Sequence, residues 1–506
     1  MKIDSIQTHA ANRPQALACI DLATNRPQAL ACIDLATNRQ WEYAKLHSQI
    51  NQVANWLIAT LGTHSAERIG VISKNCVEMI IINIACVRAG KIFVPINFRL
   101  SVREIAVLLE DCEASLVFYD ASLEHLDVRS EWLDIASLLA LVENFETTMI
   151  EQRHREFEEV STILYTSGTS GVPKGVMLSE QNAFWSQYNF NTSNQVSSKS
   201  IFLCDMPLFH TAGLLANTRA PLLAGGCVLI SSGFDVQRSI EYLSNPSYKI
   251  THYFCAAQMA QMMWNHPCFD ATKMQHLVVL ATGGSPNPKV QIERFLGANI
   301  PMADGFGMSE TGSTTIMPIS NPALVLEKAG SCGLPFISIE LKIVDDHDNE
   351  LENNQAGELW VKGPSVTKGY WNKPKLSKDA FSPDGWFKTG DVAKRDDDGF
   401  YFLLERKKDM FISGGENIYP NEIESCIIEL EQIAEVAVIG VDDEQWGEVG
   451  LAFVVVREGH TISIQDITAH CISTIAKYKV PKTIKIVSTI PRTSSGKVQK
   501  HLLKSE

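Results

Sequence analysis

A chain of 506 residues is longer than one hydrophobic core usually supports, so its length predicts two or more domains. Lys and Arg number 44 against 58 Asp and Glu, and the formal charge of −14 argues against nucleic acid as a general partner. The composition is that of a globular protein, and no apolar run approaches the roughly 18 residues that span a bilayer.

The cysteine pattern and the first residues of the chain bear on its compartment. The 12 Cys residues form no CxxC pair and no metal-like spacing, which predicts reduced, mostly buried thiols. The first residues, MKIDSIQTHA, lack the apolar core of a signal peptide. Together these features predict a cytoplasmic protein.

A sequence near the N-terminus, NRPQALACIDLAT, occurs twice in succession, at 12–24 and 25–37. Its odd length exchanges the faces of a strand and is not a whole number of helical turns. The two copies therefore cannot continue one regular element while presenting the same face. We predict that one copy is excess and is looped out or disordered, with an artefact in the sequence as the alternative.

Strands and helices are expected to alternate from residue 43 onward. The patterns predict helices at 44–60, near 77–89 and at 100–111, and strands at 68–73, 92–96 and 114–119. This alternation predicts an α/β fold with a largely parallel, doubly wound sheet. The polar and acidic stretch 143–159 is expected to be an exposed connection to the next strand.

A candidate phosphate loop lies within residues 163–177, which read ILYTSGTSGVPKGVM, with a strand expected to end at 163–165. The backbone N–H groups of such a loop can converge on a polyphosphate, and Lys174 adds a positive charge. This is not a Walker loop, because Lys174 is preceded by Pro173 and followed by Gly175. A flexible surface turn is the alternative interpretation.

This loop resembles the phosphate loop YTSGTTGxPKG of the adenylate-forming enzymes, which include acyl-CoA synthetases, aryl-CoA ligases, firefly luciferase and adenylation domains. The resemblance extends from about residue 41 to about residue 500. It implies that the loop binds ATP through Thr166, Ser167, Gly168, Thr169, Ser170, Gly171 and Lys174.

Two further stretches resemble the adenine and metal contacts of that superfamily. Residues 276–286 are expected to form a strand and a turn, which would place Gly284, Ser285 and Pro286 along the adenine. Residues 304–311 resemble the signature GYGMTE and imply ATP contacts from Asp304, Gly305, Phe306, Gly307 and Ser309. Glu310 would be the Mg²⁺ ligand, because hard oxygen donors suit that ion.

Two other stretches bear on the acid substrate. An expected helix at 180–191 carries aromatic residues that either form a buried face or line an acyl pocket: Phe184, Trp185, Tyr188 and Phe190. It begins at Glu180, where the superfamily often has His. His210 matches the His of the PxFHxxG segment near the substrate carboxylate. Because His210 cannot supply the negative charge that pairs with an ammonium group, an acid without an α-amino group is favoured.

The sequence of the second half of the chain predicts two smaller units, a β-rich subdomain and a C-terminal domain. Short strands over 330–388 indicate a β-rich subdomain, about 330–405, within an N-terminal domain of 1–405. At its end the resemblance places Asp391, whose carboxylate can accept both ribose hydroxyls. A mobile α+β C-terminal domain of 406–506 would begin at Arg406, near the ribose and phosphate, with its hinge at Lys408.

The last motif, PRTSSGK, ends at Lys497, which matches the superfamily lysine that enters the main site during adenylation. Rotation of the C-terminal domain about Lys408 would then withdraw Lys497 before a thiol arrives. The implied catalytic residues are Lys497, Glu310 and His210.

The sequence thus predicts an AMP-forming acid–thiol ligase of the acyl-CoA synthetase type. It would use ATP and Mg²⁺ to form acyl-AMP and then transfer the acyl group to CoA. The alternative is an enzyme that loads an acyl carrier protein, since a group of lysines suits either CoA phosphates or an acidic carrier: Lys477, Lys479, Lys482 and Lys485. A degenerate nucleotide-binding module is the non-enzymatic alternative. A pocket near Trp185, Tyr188, His210 and Met308 would suit an aryl or a short-to-medium fatty acid.

Overall fold

The computed structural model describes residues 29–63, 67–123, 126, 131–148, 157–166, 173–284, 287–413, 416–492 and 498–503. The strands of these residues, numbered in chain order, are β1 Leu30–Asp34, β2 Arg39–Glu42, β3 Arg68–Ile72, β4 Ile92–Ile96, β5 Ala114–Tyr119, β6 Leu133–Asp134, β7 Val160–Thr166, β8 Lys174–Ser179, β9 Ile201–Cys204, β10 Cys227–Ile230, β11 His252–Ala256, β12 Val279–Gly283, β13 Met302–Met308, β14 Gly312–Ile316, β15 Leu334–Pro335, β16 Glu340–Val344, β17 Gly357–Lys362, β18 Phe387–Arg395, β19 Tyr401–Arg406, β20 Phe411–Ser413, β21 Glu416–Ile418, β22 Ile433–Asp443, β23 Gly447–Val456 and β24 Thr483–Ile486.

The α-helices, also in chain order, are α1 Tyr43–Leu61, α2 Val77–Ala89, α3 Val102–Asp111, α4 Leu138–Leu141, α5 Glu180–Ser193, α6 Ala220–Leu223, α7 Val236–Ser244, α8 Ala257–Trp264, α9 Lys289–Gly297, α10 Pro322–Glu327, α11 Pro374–Asp379, α12 Pro420–Ile427, α13 Ile464–Thr474 and α14 Lys500–Leu503. Short 3-10 helices occur at Ile135–Ser137, Ala271–Lys273 and Lys477–Lys479, and a π-helix at Ala212–Arg219.

A six-stranded sheet has the order β6-β5-β3-β4-β7-β8 and is parallel as far as β7. Its strands serve two cores, because successive side chains point to opposite faces. In β4, Phe93 enters the core that contains α1 and α2, whereas Ile92 and Val94 enter the core under α3. Helices on both faces of a parallel sheet are typical of the doubly wound class. The predicted α/β fold class is confirmed.

A nine-stranded sheet, in the order β15-β14-β13-β12-β11-β9-β10-β1-β2, packs on the other side of α2. Its central strands, from β13 to β1, are parallel, and antiparallel strands close both edges. All 13 residues of α2 are buried, in one core with Val71 of β3 and Val228 of β10. This burial on every side suits a helix in which ten of the 13 residues are apolar.

Two smaller sheets follow in the chain. Strands β16 to β19 form an antiparallel sheet of four strands, which agrees with the expected β-rich unit, although α11 within it was not predicted. Strands β20 to β24 form another sheet, which packs against α12 and α13 in a separate hydrophobic core. The separate C-terminal domain is therefore present, while its exact limits, 406–506, stay a prediction.

The expected bounds of the early elements agree closely with the structure. The helix at 77–89 and the strands at 92–96 and 114–119 have the same limits in both. The helix expected at 100–111 begins later, at Val102, because Ser101 is its N-cap. The Ser101 hydroxyl accepts the N–H of Glu104, and the Glu104 carboxylate accepts the N–H of Ser101.

The second copy of the N-terminal repeat supplies β1, which pairs with β10 and β2. The first copy, 12–24, lies outside the described residues, so the prediction of an excess copy stays a prediction. Every described Cys is free, and all but Cys76 and Cys268 are buried, as expected. Across the described ranges, no helix is long and apolar enough to cross a membrane.

Candidate active site

The candidate phosphate loop joins two paired strands. β7 runs to Thr166, one residue beyond the expected end of the strand, and β8 begins at Lys174. Thr166 lies opposite Lys174, and its hydroxyl donates to the Lys174 carbonyl at 3.5 Å. Lys174 thus belongs to a strand, which holds its backbone more firmly than a loop would. The predicted residues Ser167, Gly168, Thr169, Ser170 and Gly171 lie outside the described part of the chain.

A segment far along the chain, residues 365–372, pairs with β8 and was not predicted to belong to the site. Tyr370 forms a bridge with Val176, and the Trp371 N–H donates to the Gly175 carbonyl at 2.7 Å. The Met177 N–H donates to the Gly369 carbonyl at 3.1 Å. We call residues 365–372 the strap, because they lie along the strand that Lys174 begins.

The strap also contacts Glu310, the predicted Mg²⁺ ligand, in the turn after β13. The Tyr370 hydroxyl donates to Glu310 Oε1 at 3.0 Å, and the Thr367 N–H donates to the Glu310 carbonyl at 2.7 Å. Glu310 is 8% exposed. The Lys174 Nζ lies 5.4 Å from the centroid of the Tyr370 ring, within cation–π range. Lys174 and Glu310, which are distant in sequence, therefore meet on the two ends of one tyrosine side chain.

Arg406 and Asp391 form the second group of the site. They are direct partners across β18 and β19, and Arg406 Nε lies 2.9 Å from Asp391 Oδ1. The pKa of Tyr370 is raised by burial and by the Glu310 charge, and the Arg406 guanidinium acts in the opposite direction.

Gly284 follows β12, where the adenine turn is expected, and Asp304 lies on the neighbouring strand β13. Gly284 has φ +83, a conformation that residues with a Cβ rarely adopt, while Ser285 and Pro286 lie outside the described residues. The Thr282 hydroxyl donates to Asp304 Oδ1 at 2.7 Å, and Asn287 donates to the Thr282 hydroxyl at 2.9 Å. Burial raises the pKa of Asp304 to about 7 despite these hydrogen bonds.

The signature around Phe306 forms β13 and its turn into β14. Phe306 lies opposite Thr315 and packs partly against the core of the β-rich sheet. A Cβ on Gly307 would lie 2.4 Å from the Gly312 carbonyl oxygen, so the close approach of the two strands requires glycine there. Ser309 and Glu310 occupy the turn itself. The signature glycines therefore have a packing role, in addition to any contact with a nucleotide.

His210 lies at the bend that leads into the π-helix, and its ring centroid is 4.7 Å from that of Phe209. Long π-helices are rare and often occur at functional sites. The π-helix ends at Arg219, which forms an ion pair with Glu180 at 2.6 Å. Ser161 also donates to Glu180, at 2.8 Å. Glu180, whose role the sequence left open, is thus a buried structural carboxylate.

The four aromatic residues of α5 do not share one environment. Phe190 is buried and packs against Phe202 and Phe254. Tyr188 is 42% exposed and stacks on Phe184 at 6.0 Å, with Trp185 edge-on to both. The interpretation as one buried helix face therefore applies to Phe190 and is wrong for Tyr188.

The predicted hinge region carries several ion pairs. Lys500 lies 2.8 Å from Glu405 and 3.0 Å from Glu424, and thus fastens the C-terminal end of the chain to the residue before Arg406. Lys408 faces Asp409 at 3.8 Å. Lys497 lies outside the described residues. Two of the four lysines considered for CoA or a carrier are paired with carboxylates: Lys479 with Glu422 and Lys482 with Asp443.

Comparison with known proteins agrees with this geometry. The sequence profile of the AMP-binding enzyme family matches residues 9–371, and that of the AMP-binding enzyme C-terminal domain matches residues 422–497. A feruloyl-CoA synthase from Amycolatopsis sp. is 34% identical over 90% of this chain and 92% of its own. An indoleacetate–CoA ligase from Aromatoleum aromaticum is 33% identical over 90% and 91%.

A solved structure gives the same result. The o-succinylbenzoate coenzyme A synthetase of Bacillus subtilis, in complex with ATP and magnesium ion, has a TM-score of 0.83 and 28% identity, covering 96% of this chain and 98% of its own. The chain belongs to the AMP-binding enzyme family. The predicted class of enzyme, an AMP-forming acyl-CoA synthetase, is confirmed.

Proposed function

We propose that this enzyme joins an aromatic carboxylic acid to CoA through an acyl-AMP intermediate, using ATP and Mg²⁺. The observation that supports this most directly is the convergence of Lys174, Tyr370 and Glu310. The ion pair of Arg406 with Asp391 adds a second charged group. Cations and a carboxylate at the end of a candidate phosphate loop suit a nucleoside triphosphate with its metal ion. The proposed ATP-binding residues keep the roles that the resemblance implies.

Each polar group has a separate task in the proposed adenylation. Asp391 would accept the ribose hydroxyls, and the phosphate loop with Lys174 would hold the β- and γ-phosphates. Glu310 would hold the Mg²⁺, which neutralises charge on the departing pyrophosphate. One protein carboxylate is enough for an ion whose other ligands are phosphate oxygens and water. His210 would lie beside the substrate carboxylate and help to orient it.

The proposal of an aromatic acid rests on the names of the relatives and on the surroundings of Phe254. Feruloyl, indoleacetate and o-succinylbenzoate, named for the relatives, all contain an aromatic ring. In this chain the half-buried Phe254 packs against a hydrophobic cluster that includes Ala216 of the π-helix. A Cβ on Gly283 would lie 3.2 Å from the Phe254 ring, so this ring lies directly beside the strand that enters the adenine turn. Small residues next to an aromatic ring suit a flat acyl group.

The protein would act mainly by positioning. A carboxylate is a poor electrophile, and its attack on the α-phosphorus brings two negative groups together. Lys497 would lie between them and reduce their repulsion during the first step. Movement of the C-terminal domain would then remove Lys497 and admit the thiol.

The test is a pyrophosphate-release assay over a panel of acids, with and without CoA. The panel includes hydroxycinnamic, indoleacetic, benzoic, malonic and C4 to C12 fatty acids. We expect pyrophosphate with aromatic acids and CoA-dependent release of AMP. Activity with fatty acids alone would contradict the proposed acid. If only a phosphopantetheinylated carrier protein, and not CoA, accepts the acyl group from acyl-AMP, the carrier protein is the acceptor.

A further inference from the structure

We propose that Tyr370 is a positioning residue of the adenylation step, which holds the Glu310 carboxylate and the Lys174 ammonium in a fixed relation to each other. This inference rests on the proposed function, and it adds a residue of the strap to that site. Tyr370 is 60 residues from Glu310 in the chain.

The two ends of the Tyr370 side chain have different partners. Its hydroxyl donates to Glu310 Oε1 at 3.0 Å, and its ring face lies 5.4 Å from the Lys174 Nζ. The residue is 6% exposed, so water competes little with either contact. A tyrosine suits this position because it can donate to a carboxylate and present a π-face to a cation at once.

The backbone of the strap is fastened on both sides of Tyr370. The Tyr370 N–H donates to the Ser377 hydroxyl at 2.8 Å, while the Trp371 N–H donates to the Gly175 carbonyl. Thr367 uses its N–H for the Glu310 carbonyl and its hydroxyl for the Met177 carbonyl at 2.6 Å. The strap therefore ties the Lys174 strand to the Glu310 turn through backbone groups, and Tyr370 makes the same connection through side chains.

This arrangement would orient the groups before ATP arrives. A hydrogen bond to one carboxylate oxygen restricts rotation of the Glu310 side chain and so fixes the direction from which it can meet a metal ion. The ring face restricts the flexible Lys174 stem in the same way. Sites of this kind lose efficiency when the supporting residues allow small displacements.

The experiment uses two substitutions that separate the hydroxyl from the ring. Tyr370→Phe keeps the ring and removes the donor, whereas Tyr370→Leu removes both. For Tyr370→Phe we expect the Mg²⁺ concentration for half-maximal pyrophosphate release to rise about 10-fold or more, as for a lost hydrogen bond to a charged group. Thioester formation from supplied acyl-AMP should be unchanged. Tyr370→Leu also removes the ring that contacts Lys174. It should therefore weaken ATP binding even without Mg²⁺, which calorimetry in EDTA measures.

A matched control is Tyr253→Phe, because Tyr253 is another buried tyrosine that donates to a carboxylate, Asp205, at 2.9 Å. Tyr253 lies in β11, which β12 separates from β13, and its side chain belongs to a hydrophobic core. This control should therefore leave the Mg²⁺ dependence unchanged. Calorimetry of ATP binding with and without Mg²⁺ gives a readout that does not depend on turnover. If Tyr370→Phe and Tyr253→Phe match in every measurement, Tyr370 has only a structural role and the inference is wrong. If the unmodified enzyme binds Mg·ATP but activates no acid, the proposed function fails while the calorimetric test of Tyr370 still stands.

Discussion

Asp304 is a buried carboxyl group whose pKa lies near neutrality. Burial favours its protonated form in the folded protein, whereas the unfolded chain releases the proton near its ordinary value of 3.8. A group with a raised folded pKa contributes stability that is complete below pH 4 and is lost as the pH rises to about 7. Asp304 therefore makes the folded protein less stable at neutral pH than at mildly acidic pH.

Asp304→Asn should remove that pH dependence. Between pH 5 and pH 7.5, the free energy of unfolding of the parent should fall relative to that of the variant by about 2.5 kcal/mol. Urea denaturation of both proteins at the two pH values measures the difference. If the free energies of unfolding of parent and variant change equally with pH, the pKa of Asp304 is the same in the folded and the unfolded state.

Lys497→Ala tests the residue that the resemblance assigns to the reaction centre. Removal of one preorganised cation should lower pyrophosphate release by about 10²-fold or more. Thioester formation from supplied acyl-AMP should persist, because that step has no triphosphate to neutralise. Lys500 is the next lysine along the chain, so Lys500→Ala serves as the neighbouring control, and it should affect both half-reactions alike through Glu405. Equal loss in both half-reactions for Lys497→Ala would contradict the assigned role.

At the level of elements, the Glu180–Arg219 ion pair joins the start of α5 to the end of the π-helix. Both side chains are buried, and Ser161 of β7 adds a hydrogen bond. Loss of one partner leaves a buried charge without compensation, so Glu180→Ala should destabilise the protein by about 3–5 kcal/mol. Substitution of both residues by Met should restore part of that loss.

Urea denaturation measures the effect, and an exposed pair serves as the comparison. Lys289 and Glu293 are on the surface of α9 at 3.7 Å, so Glu293→Ala should change the stability by less than about 1 kcal/mol. If Glu180→Ala is as mild as Glu293→Ala, the buried pair does not hold these two elements together.

The predicted hinge at Lys408 also connects two elements of the fold. Lys408 follows Arg406 in the turn between β19 and β20. Lys408→Pro fixes φ at this position and should arrest the proposed domain rotation, so that one half-reaction falls at least about 10-fold more than the other. Lys408→Ala is the control, because it removes the same side chain and leaves the backbone free to rotate. If Lys408→Pro leaves both half-reactions unchanged, the domain rotation does not occur at Lys408.

At the scale of the whole molecule, the repeated N-terminal sequence provides a test of what the fold requires. β1 uses the second copy, and deletion of 12–24 leaves the residues just before β1 unchanged. We therefore expect the deletion to change the free energy of unfolding by less than about 1 kcal/mol and to leave pyrophosphate release intact. A marked loss of stability or activity would show that the first copy is needed.

The prediction of this fold succeeded where the pattern was local. The helix Val77–Ala89 and the strand Ile92–Ile96 could be recognised because their apolar runs and flanking turns lie within a few residues. The exposure of Tyr188 and the pairing of Glu180 with Arg219 could not, because each depends on which distant element packs against α5. Helical spacing places residues on a face and does not say what covers that face.

The sequence alone indicated the class of this enzyme, because three contiguous stretches resemble motifs of the adenylate-forming enzymes: the candidate phosphate loop, the signature with Glu310 and the motif at Asp391. Only the tertiary structure decided how they meet. The strap brings Tyr370 between Lys174 and Glu310 through hydrogen bonds that no spacing in the chain encodes. The physical reason is that local patterns determine which elements form, whereas the relative positions of side chains from different elements depend on long-range packing and strand pairing.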